Sequence, residues 1–482
     1  MGLITLREVY SKASLLVPDD PRVEDISLTQ IPRRYQLDDF KRLITWRVAN
    51  NFSHVGTGKS LVSYLYIFHK LLTTDSKVVV VMPPALIPQY ARSLDDIAPQ
   101  HGFNVQSLHL PLRECKDLLQ RYKKGLEEYP QILLLSVNGL IKYGNTLAGC
   151  GHYGVLIADE CHFAKNSATK VWSMLYRLVY VDNYDYLGMT GTPIKADLTD
   201  AYAYIKLKKP DRYRTIEQFE REHVIYKGLG KTKRLIGYKK EQVLTDNLNY
   251  QSVRNRADKV LSLDEPQIVE HLVQLSPEHR KFYQDFMSER CIELGDKLLV
   301  ASNQSALRML AMRVITNIST YSADPVEDEP LNNLNAIVDS INPVKSKVII
   351  FCHFRETVEK ICGTLKFYNP KKIYGGTNQV SAFLENQESR ILVCNMTSGG
   401  VGLNLQHESH HIIFFETCGT PATLEQCIGR CQRSGQRHKV MVWVFNYRAT
   451  FWSRLLKSAL GRDAITSEAL LDKKTFLQQL YL

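Results

Sequence analysis

No Cys-x-x-Cys pair occurs among the ten cysteines of this 482-residue chain. The closest two, Cys427 and Cys431, lie one helical turn apart beside glycine and arginine, so neither a disulfide framework nor a zinc site is expected. Long apolar runs are missing as well. Val78–Met82 and Ile132–Leu135 with their flanks are the longest candidates, far short of the ~20 residues of a membrane span. The first residues carry no signal-peptide pattern, and Leu6 stands where a myristoylation site after Met1-Gly2 would need Ser or Thr. An intracellular, soluble setting with no membrane partner is the expectation.

Acidic residues are scarce in one region. The chain has a net charge of +11, and between Lys206 and Lys259 fifteen Lys/Arg face seven Asp/Glu. The centre of that region, Lys227 to Lys240, holds six basic residues, three glycines and no acid. Lys227, Lys231, Lys233, Arg234, Lys239 and Lys240 could lie along a nucleic-acid phosphate backbone. A solvated hairpin tip is the other reading.

With 44% hydrophobic and 23% charged residues, the chain is globular and too long for one hydrophobic core, so at least two lobes are expected. It is organised around Phe52-Ser53-His54-Val55-Gly56-Thr57-Gly58-Lys59-Ser60, which opens into the apolar periodic run Leu61–Leu72. Gly56 and Gly58 let backbone N–H groups, Thr57 among them, converge on phosphate oxygens, and the helix start adds its positive end. Lys59 would reach the β/γ-phosphates and Ser60 would offer a hydroxyl to Mg²⁺. Ser53 replaces the first glycine of the usual pattern, and an ordinary glycine turn before a helix is the alternative.

Lys77–Met82, Gln131–Ser136, Gly154–Ala158 and Tyr186–Met189 are short apolar runs ending in polar residues or glycine, as strands buried on both faces read. Helical-period stretches such as Leu112–Leu126 separate them. A parallel sheet with crossover helices is predicted, with ligands at the carboxyl ends of its strands. There stand Asp159-Glu160-Cys161-His162, where Asp159 would hold Mg²⁺ and Glu160 would orient and deprotonate water. Thr190-Gly191-Thr192-Pro193 follows another strand.

From about Ala196 to Pro343 the pattern is more helical and basic. Strand and helix alternate again from Lys347–His353 and Arg390–Asn395, with Ile412–Glu416 and Lys439–Phe445 as further strands. Thr397-Ser398-Gly399-Gly400-Val401-Gly402-Leu403-Asn404-Leu405 follows one of them. The stretch Gln426–Gln436 reads as a helix with Arg430 and Arg433 on one face, permanently charged donors suited to a γ-phosphate.

In this order the motifs resemble helicase superfamily two, and within it the Swi/Snf-like double-stranded DNA translocases, from Ile31 to Phe445. Arg33-Arg34-Tyr35-Gln36 is similar to the adenine-reading Q motif and Phe52–Ser60 to motif I. Pro84–Tyr90 resembles motif Ia, Asp159–His162 motif II, Thr190–Pro193 motif III and Lys347–Phe354 motif IV. Thr397–Leu405 and Gln426–Gln436 resemble motifs V and VI. The subfamily rests on Val401–Leu405, Arg430-x-x-Arg433-x-Gly435-Gln436, and Leu275–Tyr283 following Ser252-Val253-Arg254-Asn255-Arg256. Two departures stand out: Ser53-His54 before motif I, and Cys161 where glycine or alanine is usual.

The resemblance implies an α/β protein of two RecA-like parallel-sheet lobes with a mainly helical, basic insertion. Its expected divisions are an N-terminal extension (1–30), an ATP-binding lobe (31–205), the insertion (206–343), a second lobe (344–450) and a C-terminal helical extension (451–482). ATP and Mg²⁺ are the implied cofactors. Arg33, Tyr35, Gln36, Gly402 and Gln426 join motif I at the nucleotide, Ser60 and Asp159 hold the metal, and Lys59, Glu160, Arg430 and Arg433 act in hydrolysis. Duplex or branched DNA is the implied partner, bound without sequence preference through Pro84, Thr190, Thr397, Ser398, Gly399 and the basic segment. With about 30 residues before the Q motif and 37 after Phe445, the chain resembles minimal phage or bacterial motors that remodel forks and junctions, in a bacterial or phage-infected cytoplasm. A translocase that strips proteins from duplex DNA, an RNA helicase (which the subfamily signature argues against) and an ATP-gated clamp with little motor activity are the alternatives.

Overall fold

The computed structural model describes residues 3–108, 118, 120–122, 124–194, 198–228, 234–261, 263–294, 297–342, 346–396, 403–416 and 421–453. They divide into two compact units, the first reaching to Leu261 and the second taking in the described chain beyond it.

The first unit is built on seven parallel strands. In chain order they are β1 (Val48–Asn51), β2 (Lys77–Met82), β3 (Val105–Ser107), β4 (Ile132–Ser136), β5 (Tyr153–Asp159), β6 (Asp185–Met189) and, after a separate hairpin of β7 (Val224–Lys227) and β8 (Arg234–Tyr238), β9 (Ser252–Val253). Across the sheet the order is β9-β1-β6-β5-β2-β4-β3. The apolar runs β2, β4 and β5 sit side by side in the middle, with Val78–Met82 and Ile132–Leu135 almost wholly buried. Helices cover the sheet, which is why these strands carry no polar alternation. Two of those helices serve the site: α1 (Arg34–Leu43) and α2 (Lys59–Thr73). Of the helical stretch expected over Leu112–Leu126, residues 118 and 120–122 are helical, and 109–117, 119 and 123 lie outside the described residues.

The second unit repeats the plan. The strands of its main sheet are β10 (Gln267–Val273), β11 (Val348–Cys352), β12 (Lys371–Tyr374), β13 (Thr377–Asn378), β14 (Ile391–Asn395), β15 (His411–Phe414) and β16 (Met441–Tyr447), ordered β10-β16-β15-β11-β14-β12-β13. All neighbours are parallel except β12 and β13. Two RecA-like parallel-sheet lobes are thus present.

The stretch between Lys206 and Pro343 is helical over Glu241–Asn249, Pro277–Glu289, Gln304–Thr316 and Glu329–Ile341. It also contributes strands. β9 closes the edge of the first sheet and β10 that of the second, so the stretch is shared between the units. These edge strands are short or of mixed polarity, and neither gives the apolar run that marks a central strand. Among the described residues no helix is long and apolar enough to cross a membrane.

Candidate active site

β1 ends at Asn51, and the chain curls through Phe52–Gly58 into α2. Gly56 and Gly58 have φ of +84° and +79°, the left-handed region that glycine enters without strain. At Gly58 a side chain is excluded twice over, because a Cβ would lie 2.4 Å from Nε2 of Gln36.

That contact shows what the Q-motif stretch does here. Gln36 is buried on α1. Its amide oxygen accepts from Arg33 N at 2.8 Å, and its amide nitrogen donates to the carbonyls of Thr57 (3.2 Å) and Gly58 (3.3 Å). The Tyr35 hydroxyl donates to Thr57 O at 2.7 Å. Tyr35 and Gln36 therefore hold the second half of the loop, while Arg33 is exposed. The Lys59 ammonium donates to Ser53 O (2.8 Å) and His54 O (3.0 Å), and Ser60 is exposed at the start of α2.

Asp159 ends β5, and Glu160 follows in the left-handed region with φ +53°. Side chains rarely adopt this conformation, and such strain gathers at functional sites. It is held in place: Glu160 N donates to Oδ1 of Asp159 at 3.0 Å, and the Thr190 hydroxyl donates to Oε2 of Glu160 at 3.3 Å. Nδ1 of His162 lies 3.2 Å from the same carboxylate oxygen and 3.3 Å from the Thr190 hydroxyl. Cys161 is fully buried, and burial pushes its thiol well above the usual range, with the neighbouring carboxylates adding to it, so it has no nucleophilic character.

The Thr190–Pro193 turn lies against the phosphate loop. Thr190 N donates to Asn51 O at 3.1 Å, and a Cβ on Gly191 would meet Val55 Cγ2 at 2.9 Å and Val55 N at 3.1 Å. Loop, acidic pair and turn are thereby gathered at the carboxyl edge of β1, β5 and β6. Thr190, expected among the DNA contacts, is wholly buried, and its hydroxyl serves Glu160 instead. The chain signal for this was present, since Thr190 stands at a strand end beside the acidic pair. His162, to which the motif pattern gives no role, joins them.

The DNA candidates divide. Pro84 is exposed just past β2, and Lys227, Lys239 and Lys240 are exposed on and beside the β7–β8 hairpin. Arg234 begins β8. Lys231, Lys233, Thr397, Ser398, Gly399 and the nucleotide candidate Gly402 lie outside the described residues.

In the second unit the helix expected over Gln426–Gln436 stops early. Pro421–Ile428 is helical, Gly429 and Arg430 form a turn, and Gln432 N bonds back to Ile428 O at 2.8 Å. Gly429, of a residue type with low helix propensity, stands at this terminus. Gln426 and Arg430 are buried, and Arg433 donates to Asn404 Oδ1. Burial first, then the charge of Arg430, hold the Arg433 guanidinium down to about 10. It stays charged at neutral pH, so two like charges are kept close by a turn rather than by a shared helical face.

The family model for the SNF2-related domain matches residues 53–321, and that for the helicase conserved C-terminal domain matches 332–435. An uncharacterized ATP-dependent helicase of Mycoplasma pneumoniae is 22% identical over 417 residues, covering 83% of this chain and 38% of the relative. The uncharacterized ATP-dependent helicase YqhH of Bacillus subtilis is 22% identical over 436 residues, covering 84% and 72%. The DNA repair and recombination protein RAD54-like of Danio rerio is 22% identical over 517 residues, covering 92% and 68%. This chain thus spans well under half of the mycoplasma relative's length. The Sulfolobus solfataricus SWI2/SNF2 ATPase core, solved in complex with dsDNA, aligns over 92% of this chain and 95% of its own at 16% identity and a TM-score of 0.41. With the SNF2-related model covering more than half of its residues, the chain belongs to the SNF2-related family, the Swi/Snf-like branch of helicase superfamily two.

Proposed function

We propose that the chain is a DNA-dependent ATP hydrolase that moves on duplex DNA and remodels branched DNA, by fork reversal or branch migration, in replication, recombination or repair. The observation that carries the hydrolase is the packing of the glycine-bent loop of Lys59 against the Thr190–Gly191 turn, whose Thr190 together with His162 holds a strained Glu160. Lys59 and the loop N–H groups bind phosphates. Glu160, fixed by two partners, orients the attacking water and takes its proton. Ser60 and Asp159 supply a hydroxyl and a carboxylate, the hard oxygen donors that suit Mg²⁺. Bound there, Mg²⁺ neutralises charge on the phosphate oxygens. Arg430 and Arg433 are the second unit's candidates for the charge that develops on the transferred phosphoryl group.

The DNA reading is supported by the net charge of +11 and by the exposed lysines of the β7–β8 hairpin. A DNA repair and recombination protein among the relatives points the same way. Contacts of this kind go to phosphate, so little sequence preference follows. The test compares ATPase rates with blunt duplex, single-stranded DNA, a three-way fork, a four-way junction and structured RNA. Strongest stimulation by fork or junction, with strand displacement there, supports the remodeller. Equal stimulation by plain duplex without strand separation makes the chain a translocase that displaces bound proteins, and a preference for RNA removes the duplex-DNA reading.

A further inference from the structure

The first half of the phosphate loop is held by Ser252–Arg256, a stretch to which the motifs attach no chemistry. Phe52 N donates to Val253 O at 2.8 Å and His54 N to Asn255 O at 2.9 Å, so main-chain pairing continues past the two residues of β9. Side chains complete it. The Ser53 hydroxyl accepts from Asn255 N at 3.0 Å. Arg254 donates through Nη1 to Phe52 O at 2.7 Å, across 202 positions of sequence, and through Nη2 to Nε2 of His54 at 3.1 Å. A guanidinium only donates, so that imidazole nitrogen is unprotonated.

These contacts account for Ser53 and His54, the two residues before motif I that depart from the family pattern. Ser53 is 1% exposed, where a buried hydroxyl needs a partner, and Asn255 provides it. His54 offers an acceptor to Arg254. Asn255 also reaches α1, donating from Nδ2 to Oδ2 of Asp39 at 2.6 Å. Since α1 already holds Thr57 and Gly58 through Tyr35 and Gln36, the contacts form a closed ring around the loop: α1, Thr57–Gly58, Phe52–His54, Arg254–Asn255, and back to α1 at Asp39. Inside that ring the Lys59 ammonium takes its direction from Ser53 O and His54 O, carbonyls of the two residues that Arg254 and Asn255 fix.

We propose that Arg254 and Asn255 are positioning residues of the phosphate loop, holding Phe52–His54 so that Lys59 is aimed at the phosphates of ATP. The inference rests on the reading of Ser53–Ser60 as the ATP phosphate loop. It assigns to the segment after β9 a role in nucleotide affinity, exerted through Lys59 and not by contact with nucleotide.

The test is a double-mutant cycle on the full chain, read by the equilibrium Kd for a fluorescent N-methylanthraniloyl ATP and by steady-state ATPase with duplex DNA. Lys59→Ala comes first. If it binds the analogue as tightly as the wild type, the phosphate-loop reading fails and the proposal with it, before any clamp variant is made. If affinity drops, Arg254→Ala and Asn255→Ala are each expected to raise Kd on the order of tenfold, since displaced catalytic groups carry penalties of this size. KM then rises by more than kcat falls. In the Lys59→Ala background the same substitutions are expected to change Kd by less than about twofold, because residues that act through one group are not additive. Equal factors with and without Lys59, or no change in Kd at all, overturn the proposal in favour of a purely structural role. Should Arg254→Ala fail to fold, Arg254→Lys, which keeps the charge but loses the planar two-armed donor, carries the same expectation with a smaller factor.

Discussion

The Thr190 hydroxyl stands 3.3 Å from Oε2 of Glu160, and Nδ1 of His162 lies 3.2 Å from the same oxygen, so one carboxylate is steered from two directions. Glu160→Gln keeps the shape and removes the base. Single-turnover hydrolysis is expected to fall on the order of 10²- to 10⁴-fold with ATP binding retained. Thr190→Val keeps the volume and removes the donor, and is expected to cost kcat on the order of tenfold with KM unchanged. A Thr190 that contacted DNA would behave the other way, weakening duplex affinity and sparing the hydrolytic step.

Gly191 sets the distance between the Thr190–Pro193 turn and the phosphate loop. A methyl group there meets backbone N of Val55 at 3.1 Å and lies 3.5 Å from the Lys59 ammonium. Backbone gives way less readily than a side-chain tip, so Gly191→Ala displaces the loop. The expected result is a rise in KM for ATP on the order of tenfold or more, with the unfolding midpoint lowered by only a few degrees. An unchanged KM would show that the two loops are not mechanically linked.

Asp39 gives the loop ring a pH signature. Burial raises its carboxyl from 3.8 to about 7, against the opposing pull of the Asn255 hydrogen bond. The sign follows from linkage. Below about pH 4 the group is protonated whether the chain is folded or not, and its contribution to stability is fully present. As pH rises towards and through about 7, the unfolded chain releases this proton first and the contribution is lost. Asp39→Asn keeps an acceptor for Asn255 and removes the titration. Thermal unfolding between pH 4 and pH 8 is expected to show a shallower loss of stability with rising pH in Asp39→Asn than in the wild type, and parallel curves would refute the assignment.

Arg430 and Arg433 offer a sharper test of the second unit. Arg430 is 6% exposed, and the Arg433 guanidinium is held down by burial and by Arg430. Arg430→Ala and Arg433→Ala are each expected to reduce turnover on the order of 10³-fold, with the fold retained. Wild-type turnover in either variant removes that arginine from hydrolysis.

The central strands were legible because β2, β4, β5, β11 and β14 are apolar on both faces, and their runs agree with the observed strands to within a residue or two. Motif chemistry was legible where chemistry and spacing coincide, as at Gly56–Ser60 and Asp159–Glu160. What stayed hidden was long-range. Nothing local in Ser252–Asn255 says that it pairs with Phe52–His54, because a two-residue edge strand has no hydrophobic period. Gln36, expected at the nucleotide, also holds the loop, with its amide engaged by Arg33, Thr57 and Gly58. Glu416 read as the polar end of a strand. It is a fully buried carboxylate that accepts from the Thr316 and Thr357 hydroxyls and from His353 N and Phe354 N, and this network comes from three separate segments.

The β7–β8 hairpin is where the two readings of the basic segment can be separated. Lys227, Lys239 and Lys240 are exposed around a two-stranded antiparallel ribbon that belongs to neither main sheet, and Ile225, Leu235 and Ile236 are exposed on the same ribbon. A ribbon this small has little core of its own, so its lysines can be changed without disturbing the parallel sheet beside it. If each lysine lies on a DNA phosphate, binding releases about one counterion per contact, and log Kd depends on log salt concentration accordingly. The triple variant Lys227→Gln, Lys239→Gln, Lys240→Gln is then expected to lose about 0.9 of slope per contact, up to about 2.7 in all, on blunt duplex between 50 and 200 mM salt. Its DNA-independent ATPase should be unaffected. An unchanged slope would make the hairpin a solvated tip and move the search for the DNA track to the exposed Pro84 just past β2.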